Sequence, residues 1–438
     1  MKQRVVSVYL ISIIVSVSIV LSATLFCNPI NNKKNELKCA YGYIKNKKHE
    51  ENIKFCHTLI KKYPDEYLFY FYLGFSYSQL EKHQQALRYY VKALKLNPEF
   101  HPAWHNAALI LRKNEKIADA IIFYKKALEL KSGNEAYHFG LAQAYLALGN
   151  WQKGWNHLEK GRESTVSVLK NHLQDPADIA GKTIFIPDSW GLGDTIQFIR
   201  YVKLVKEHGG HTIVQTKPQL LNLLSRCKFI DELTTEYPDA STYDATISLW
   251  SLPKLFNSIE KTIPRYIQYI YPDPQLVYKW GKKLNKNTNF KIGICWSGSG
   301  TLGEKDIPLE LFELLANIPG ITLYSLQKSQ SGCNQLNNIN FNIVDFDNKL
   351  DEQNGPFMDT AAIMKHLDLV ITVDTSIAHL AGALGVPVWT YIIFGPDWRW
   401  LLEQEDTPWY PSMRLFRGKK RHDYKTVIQN MKIVLENI

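Results

Sequence analysis

The sequence lacks the cysteine spacing that structural metal sites use. Its six cysteines are scattered over 438 residues without a single C-x-x-C pair, which argues against a zinc site. A clustered basic–aromatic motif is also missing, which argues against a nucleic-acid binder despite the formal charge of +10. With 45% hydrophobic and 21% charged residues, general disorder is excluded as well. We therefore predict a globular protein with no metal site and no nucleic-acid partner.

Length and charge give coarser limits. A chain of 438 residues is too long for one ordinary domain and predicts two or three. The positive charge suits an anionic partner such as a nucleotide, and it equally suits an enzyme with Lys-rich surface loops. Both interpretations stay open at this point.

Val5–Phe26 is a stretch of 22 residues without a charge, dense in Val, Ile and Leu. It is long enough to span a bilayer. Because Ser22-Ala23-Thr24 matches a signal-cleavage pattern only weakly, we expect residues 5–26 to be an uncleaved membrane anchor; a cleaved signal on a secreted or periplasmic protein is the alternative. Six lysines follow the span between residues 33 and 48, against Lys2 and Arg4 before it. The positive-inside rule then places the body of the protein in the cytoplasm.

A 34-residue period covers residues 33–170. The unit that begins at Tyr67 has every signature residue of a tetratricopeptide repeat, namely Tyr70, Leu73, Gly74, Tyr77, Ala86, Tyr90, Ala93 and Pro98. Units that begin at Lys33, His101 and Glu135 repeat the pattern less completely. The small residues allow two helices to approach closely, so the pattern predicts an α-helical solenoid. Its concave surface would bind a protein or peptide partner; a spacer or dimerisation element is the alternative.

From residue 171 onward, strands and helices alternate, which predicts parallel, doubly wound sheets. The predicted elements include a helix from about Thr195 to Glu207 and strands over residues 243–249 and 341–346. We divide this region into residues 171–288 and residues 289–438, separated by a polar connection that contains Pro272 and Pro274. The first half is short for a complete Rossmann-like domain. We therefore expect its ligand site to be reduced, or completed by the repeats.

The stretch Leu369–Pro387 has the pattern of strand, turn and helix, and a further strand follows it. Asp374, Thr375 and Ser376 are N-cap-type residues at the carboxyl end of the first strand. Open α/β sheets bind ligands there, and the free N–H groups of a helix N-terminus suit a phosphate. We predict that Thr375 and Ser376 bind phosphate, that Asp374 holds the loop and that His379 reaches the ligand. A plain helix cap and a buried histidine are the alternatives.

Three motifs lie at Gly191–Asp194, Gly293–Gly298 and Val373–Ala381. Together they resemble glycosyltransferase family 9, the heptosyltransferase-like enzymes. The tail, with Pro396–Leu402 and Pro408–Pro411, looks like the branch of that family that is fused to tetratricopeptide repeats. The resemblance implies a GT-B pair of Rossmann-like domains, a nucleotide-diphosphate-sugar donor in residues 289–438, and direct displacement with inversion that needs no metal and no cofactor.

The resemblance also implies roles for individual residues. Asp194 matches the proposed general base, at a turn formed by Gly191 and Gly193; a helix cap explains it equally well. The remaining expected donor contacts are Trp296, Ser297, Gly298 and Lys305, the last as a counter-charge to phosphate. The loop around Lys305 departs from the family pattern, which weakens that assignment. We interpret the Trp398, Trp400 and Trp409 cluster as packing and Arg399 as structural.

The sequence thus predicts a glycosyltransferase that moves a sugar from a nucleotide-diphosphate-sugar to a hydroxyl acceptor, with the repeats recruiting the acceptor or a partner. One alternative is a protein O-glycosyltransferase that acts on Ser or Thr, as the repeat-fused O-linked N-acetylglucosamine transferases do. The other is a membrane-tethered scaffold without turnover. Nucleotide binding without transfer would distinguish the scaffold from both enzymes.

Overall fold

The computed structural model describes residues 33–437, except 168, 170, 188–190, 299–302, 304 and 347–349. The described residues form two compact units: one of residues 33–145 with Lys160–Arg162, and one of Leu146–Glu159 with the described residues from Glu163 onward. The predicted anchor, residues 5–26, lies outside the described residues. Within the described ranges, no helix combines the length and apolarity that a membrane span requires. Membrane attachment therefore stays a prediction.

The first unit is a stack of helical pairs, which confirms the predicted tetratricopeptide solenoid. Its helices are α1 Lys33–Lys45, α2 His49–Lys62, α3 Tyr67–Gln79, α4 His83–Leu96, α5 His101–Lys113, α6 Ile117–Leu130 and α7 Glu135–Ala147. The small signature residues do what their spacing predicts. A Cβ on Gly74 would lie 2.7 Å from the ring of Tyr90, so only glycine lets α3 approach α4 this closely.

The second unit contains two fully parallel sheets, as the alternating pattern predicts. The first has the order β3-β2-β1-β4 and the second the order β6-β5-β7-β8-β9. The strands are β1 Thr183–Ile186, β2 His211–Gln215, β3 Glu232–Thr234, β4 Ala245–Thr246, β5 Phe290–Cys295, β6 Ile321–Ser325, β7 Leu369–Val373, β8 Val388–Ile392 and β9 Met413–Arg417. The strand order reverses beside β1 in the first sheet and beside β5 in the second. Doubly wound sheets place their ligand sites at such reversals.

Helices cover these sheets. They are α8 Trp151–Lys160, α9 Glu163–Val166, α10 Leu192–Phe198, α11 Val202–Glu207, α12 Pro218–Leu224, α13 Leu252–Leu255, α14 Pro274–Leu284, α15 Glu313–Ala316, α16 Gln330–Cys333, α17 Met358–Met364, α18 Ser376–Ala383 and α19 Tyr424–Leu435. Several are shorter than the sequence pattern suggests. For example, the helix expected from Thr195 to Glu207 is interrupted by a 3₁₀ turn at Ile199–Tyr201, because apolar periodicity does not distinguish 3₁₀ from α geometry.

Strand predictions differ from the structure in two places. The expected strand over residues 243–249 is reduced to β4, and the one over residues 341–346 to a single bridge at Val344. Conversely, β3 was missed. It contains only three residues, none of them fully buried, so it lacks the apolar run by which a buried parallel strand is recognised.

Helix α8 belongs structurally with the sheets, although the sequence period assigns it to the repeats. The Trp155 indole N–H donates to the Ser258 carbonyl at 2.7 Å, and its ring meets that of Trp398 edge to face at 5.5 Å. Trp151 contacts Trp409 in the same way, at 6.1 Å. These rings are buried. The last repeat helix therefore supplies aromatic packing to the short first half and to the C-terminal tail.

Candidate functional site

Two helix N-termini meet where the motifs of the two halves come together. Helix α10 follows β1, and helix α18 follows β7, so both begin at carboxyl ends of parallel strands. A Cβ on Gly193 would lie 2.8 Å from Cδ2 of His379 and 3.5 Å from the Cα of Ser376. The missing side chain at Gly193 is therefore what lets α10 pack directly against α18. Ligands of open α/β sheets bind at such strand ends.

Asp194 is held from two sides. Its Oδ2 accepts a hydrogen bond from the Gly191 N–H at 3.1 Å, and its Oδ1 accepts one from Nη2 of Arg399 at 2.6 Å. The side chain keeps 23% of its surface exposed, and each carboxylate oxygen has a second lone pair. Burial raises the pKa of Asp194, while Arg399 opposes this rise. The carboxylate thus acts as a helix cap and an ion-pair partner and still faces solvent.

Arg399 is the site residue whose role the sequence did not reveal. Besides Asp194, it donates through Nε to Oε1 of Gln197 at 2.6 Å and through Nη1 to Oδ1 of Asp397 at 2.8 Å. Its guanidinium lies 4.6 Å from the ring centre of Trp398. The two carboxylates raise the pKa of this arginine despite its burial. No local pattern predicts the pair of Asp194 and Arg399, which are 205 positions apart. The only local signal that could indicate a buried cation is the tryptophans around Arg399.

The N-terminus of α18 lies as predicted at the carboxyl end of β7. Thr375 is the N-cap, and its Oγ1 accepts from the Ile377 N–H at 3.3 Å. Gly298 lies beside it, since a Cβ there would be 3.7 Å from the Thr375 methyl group. The two predicted donor segments, residues 296–298 and 374–376, are therefore adjacent.

Lys305 also reaches this helix end, where it pairs with Asp374. Its Nζ lies 2.6 Å from Oδ2 of Asp374, and that carboxylate raises the lysine pKa. The predicted counter-charge to phosphate is thus already engaged. An incoming phosphate would have to share or displace this carboxylate.

The residues that follow β5 line this region with main-chain atoms and not with side chains. The Trp296 ring is fully buried in the core of the second sheet. The Ser297 N–H donates to Oε1 of Gln327 at 3.0 Å, and the Gly298 N–H donates to Oδ1 of Asp306 at 2.8 Å. In this conformation the indole of Trp296 is not available to a ligand.

His379 lies one turn into α18 and is almost completely buried. Its Nδ1 is 2.8 Å from the Tyr410 hydroxyl, and its ring stacks on Trp400 with centres 5.5 Å apart. Burial lowers its pKa to about 3, so the imidazole is neutral at pH 7. This placement matches the alternative of a satisfied buried histidine, and direct donor contact stays a prediction.

We expect this histidine to make the second unit acid-sensitive. Its folded pKa lies below the unfolded value, so between about pH 6.5 and 3 the unfolded chain binds the extra proton and stability falls as pH falls. Between pH 7 and pH 5 the loss is about 2 kcal/mol from this group. Urea unfolding at both pH values measures it. His379→Gln, which keeps a hydrogen-bonding side chain that does not titrate, should remove that part of the pH dependence; an unchanged pH dependence would contradict the assignment.

Across the described ranges, no group of three or more His, Cys, Asp or Glu side chains is arranged to hold a metal ion.

Comparison with known families supports the architecture predicted along the chain. Residues 356–429 match the model of glycosyltransferase family 9 (heptosyltransferase), and residues 67–100 and 101–134 each match a tetratricopeptide repeat model. A stretch similar to family 9 therefore follows the tetratricopeptide repeats in this chain. The matched part of the family 9 domain contains α18 and Arg399, whereas Asp194 and Lys305 lie outside it. The match tests no role of an individual residue, so the roles assigned to Asp194, Lys305 and the residues of α18 all stay predictions.

The individual proteins that resemble this chain share only low sequence identity with it. Protein FlbA of Caulobacter vibrioides is 26% identical over 313 residues, which cover 64% of this chain and 51% of FlbA. The chain thus spans about half the length of the curated relative it matches. Among solved structures, MamA (20% identity, TM-score 0.29) covers 31% of this chain and 79% of its own. A thermophilic repeat protein of Thermus thermophilus (20% identity, TM-score 0.28) covers 30% of this chain and 74% of its own.

Proposed function

We propose that this protein is a GT-B glycosyltransferase that moves a sugar from a nucleotide-diphosphate-sugar to a hydroxyl acceptor with inversion. The observation that carries the proposal is the packing of the Gly191–Asp194 turn against the N-terminus of α18. This packing brings a partly exposed carboxylate next to a helix N-terminus suited to phosphate. Direct displacement requires a base that lies within the same site but across the anomeric carbon from the leaving group.

In this proposal the donor diphosphate lies at the N-terminus of α18. The free N–H groups and the Thr375 and Ser376 hydroxyls bind its oxygens, and the helix dipole favours its charge. Lys305 contributes a cation once the phosphate competes with Asp374 for it. Ser297 and Gly298 border the same space through main-chain atoms.

The proposed chemical step is a single displacement. The acceptor hydroxyl oxygen forms a bond to the anomeric carbon as the bond from that carbon to the phosphate oxygen breaks. Asp194 takes the hydroxyl proton, and the nucleoside diphosphate leaves with the electron pair. Arg399 orients the carboxylate, and its charge lowers the basicity that burial raises.

The repeats are proposed to recruit the acceptor or a partner. A Ser or Thr of a protein as the acceptor is the second enzyme candidate. The scaffold without turnover is favoured by one observation, because both oxygens of Asp194 and the amine of Lys305 already have partners in the described structure.

Calorimetric titration with ADP, UDP, GDP and their common sugar conjugates tests the proposal. We expect one nucleotide to bind selectively, because a defined donor site distinguishes bases. Selective binding followed by transfer to a hydroxyl acceptor supports an enzyme, and the mass of the product separates a saccharide acceptor from a protein. Selective binding without transfer favours the scaffold, and binding of none of these nucleotides contradicts the donor site.

Thr375→Val should weaken binding of the selected nucleotide by about tenfold, the effect of about one lost hydrogen bond to a charged group. The substitution also removes the helix cap, so thermal unfolding is measured in parallel. Thr372→Val is the matched control, since Thr372 is buried in β7 and precedes the helix. Equal weakening in both variants would mean that the effect comes from altered packing.

A further inference from the structure

The second unit contains a cavity of about 970 Å³ at the edge of the first sheet that lies away from Asp194. Its walls are the end of α11, residues 225–229 after α12, and residues 266–274 of the connection between the two halves. Helix α11 ends just before β2, and residue 229 lies just before β3. Because the sheet is parallel, both walls lie at amino ends of strands, whereas Asp194 follows the carboxyl end of β1. The cavity is therefore separate from the proposed donor site.

Cations outnumber carboxylates around this cavity. Among the described lining residues, Glu207 supplies the one carboxylate. The cations that line it are Lys203, Lys206, Arg226 and Lys228. Of these, Lys206 pairs with Asp231 outside the lining. The remaining three leave an excess of positive charge, which favours an anionic ligand.

These three cations keep capacity for an anion. Lys228 is exposed, and its amine has no ion pair or hydrogen bond among the described residues. Nζ of Lys203 lies 3.9 Å from Oε1 of Glu207, beyond hydrogen-bond distance. Arg226 donates through Nη1 to Oδ2 of Asp273 at 3.4 Å, and a guanidinium has further N–H donors. Exposed ion pairs of this kind are weak, so a phosphate can compete for these cations.

Aromatic side chains form much of the remaining wall. They are Phe229, Tyr266, Tyr269 and Tyr271. Nζ of Lys203 lies 4.1 Å from the ring centre of Tyr266, and Tyr271 keeps 45% of its surface exposed. A tyrosine offers an apolar face and a polar tip, which match the C–H face and the hydroxyl edge of a sugar ring. The volume is at the upper end of the range for small-ligand sites, so it has room for more than a single ion.

We propose that this cavity binds a phosphorylated saccharide. The phosphate pairs with Lys203, Arg226 and Lys228 through charge-assisted hydrogen bonds. The sugar rings pack on Tyr266 and Tyr271. The proposal adds a second ligand site to the protein and does not depend on the transfer reaction proposed above.

Calorimetric titration of the full-length chain with trehalose 6-phosphate tests this site. Trehalose, inorganic phosphate and AMP are the comparison ligands. We expect trehalose 6-phosphate to bind more tightly than each of them, because it alone combines a phosphate with two sugar rings. Binding that is absent at about 1 mM, is matched by inorganic phosphate or trehalose, or is exceeded by AMP would each overturn the proposal.

Two matched lysine pairs show where the ligand binds. The cavity variant is Lys203→Gln with Lys228→Gln, and the control is Lys254→Gln with Lys261→Gln. Each pair combines a half-buried and an exposed lysine, and the control lysines do not line the cavity. The cavity variant should bind trehalose 6-phosphate about tenfold more weakly, while the control stays within about twofold of wild type. Equal losses in the two variants would contradict the location.

Tyr271→Ala examines the saccharide part of the site. It should weaken binding of trehalose 6-phosphate and leave the affinity for inorganic phosphate unchanged, since the ring packs on the sugar and not on the phosphate. Equal affinity of this variant and wild type for trehalose 6-phosphate would contradict the assigned role of Tyr271. Nucleotide titration of the cavity variant should match wild type, so failure of this site and failure of the donor site are distinguishable.

Discussion

Asp194→Asn is expected to lower sugar transfer by about 10²–10⁴-fold while donor affinity stays within about twofold. The amide preserves the size of the side chain and can still accept from the Gly191 N–H, but it cannot take the acceptor proton. Transfer is measured by release of nucleoside diphosphate, and donor affinity by calorimetry. A fall in both quantities would indicate a lost helix cap and not a lost base.

Asp397→Asn is the matched control for that experiment. Asp397 also accepts from Arg399, at 2.8 Å. Burial raises the pKa of Asp397, but Arg399 and Lys305 outweigh burial and lower it overall, whereas the pKa of Asp194 is raised. It caps the 3₁₀ turn Trp398–Trp400. We expect this variant to keep most of its turnover. If both variants lost turnover equally, Asp194 would matter only as a partner of Arg399.

Trp155→Ala should lower the free energy of unfolding of the second unit by about 3–5 kcal/mol, the cost of emptying a fully packed aromatic site. Trp155 is buried. Its removal leaves a cavity beside Trp398 and an unpaired carbonyl at Ser258. Urea unfolding followed by far-ultraviolet circular dichroism measures the loss without relying on tryptophan emission.

Trp155→Phe separates the hydrogen bond from the packing. It keeps an aromatic ring against Trp398 but loses the indole N–H, and it should cost about 1–2 kcal/mol. If the alanine variant were as stable as wild type, α8 would only be an attached repeat helix. In that case the short first sheet would be stable without it.

The division predicted at residue 170 follows the repeat period, whereas the side-chain contacts of α8 are with the sheet region. Gly154 falls at a repeat signature position, so periodicity assigns the helix to the solenoid. The partners of Trp155, however, lie about 100 and 240 residues further along the chain. A periodic pattern describes the backbone of a helix but does not specify which side chains cover its outer face.

The sequence alone determined the solenoid, the parallel sheets and the position of α18, because each depends on short-range spacing. Gly74 must be small to meet Tyr90, and Leu369–Val373 must be apolar to form a strand buried on both faces. Tertiary structure decided the pairing of Asp194 with Arg399, the engagement of Lys305 by Asp374 and the burial of Trp296. These arrangements depend on side chains brought together from distant segments, where charge and burial act over a few ångströms and leave no periodic trace along the chain.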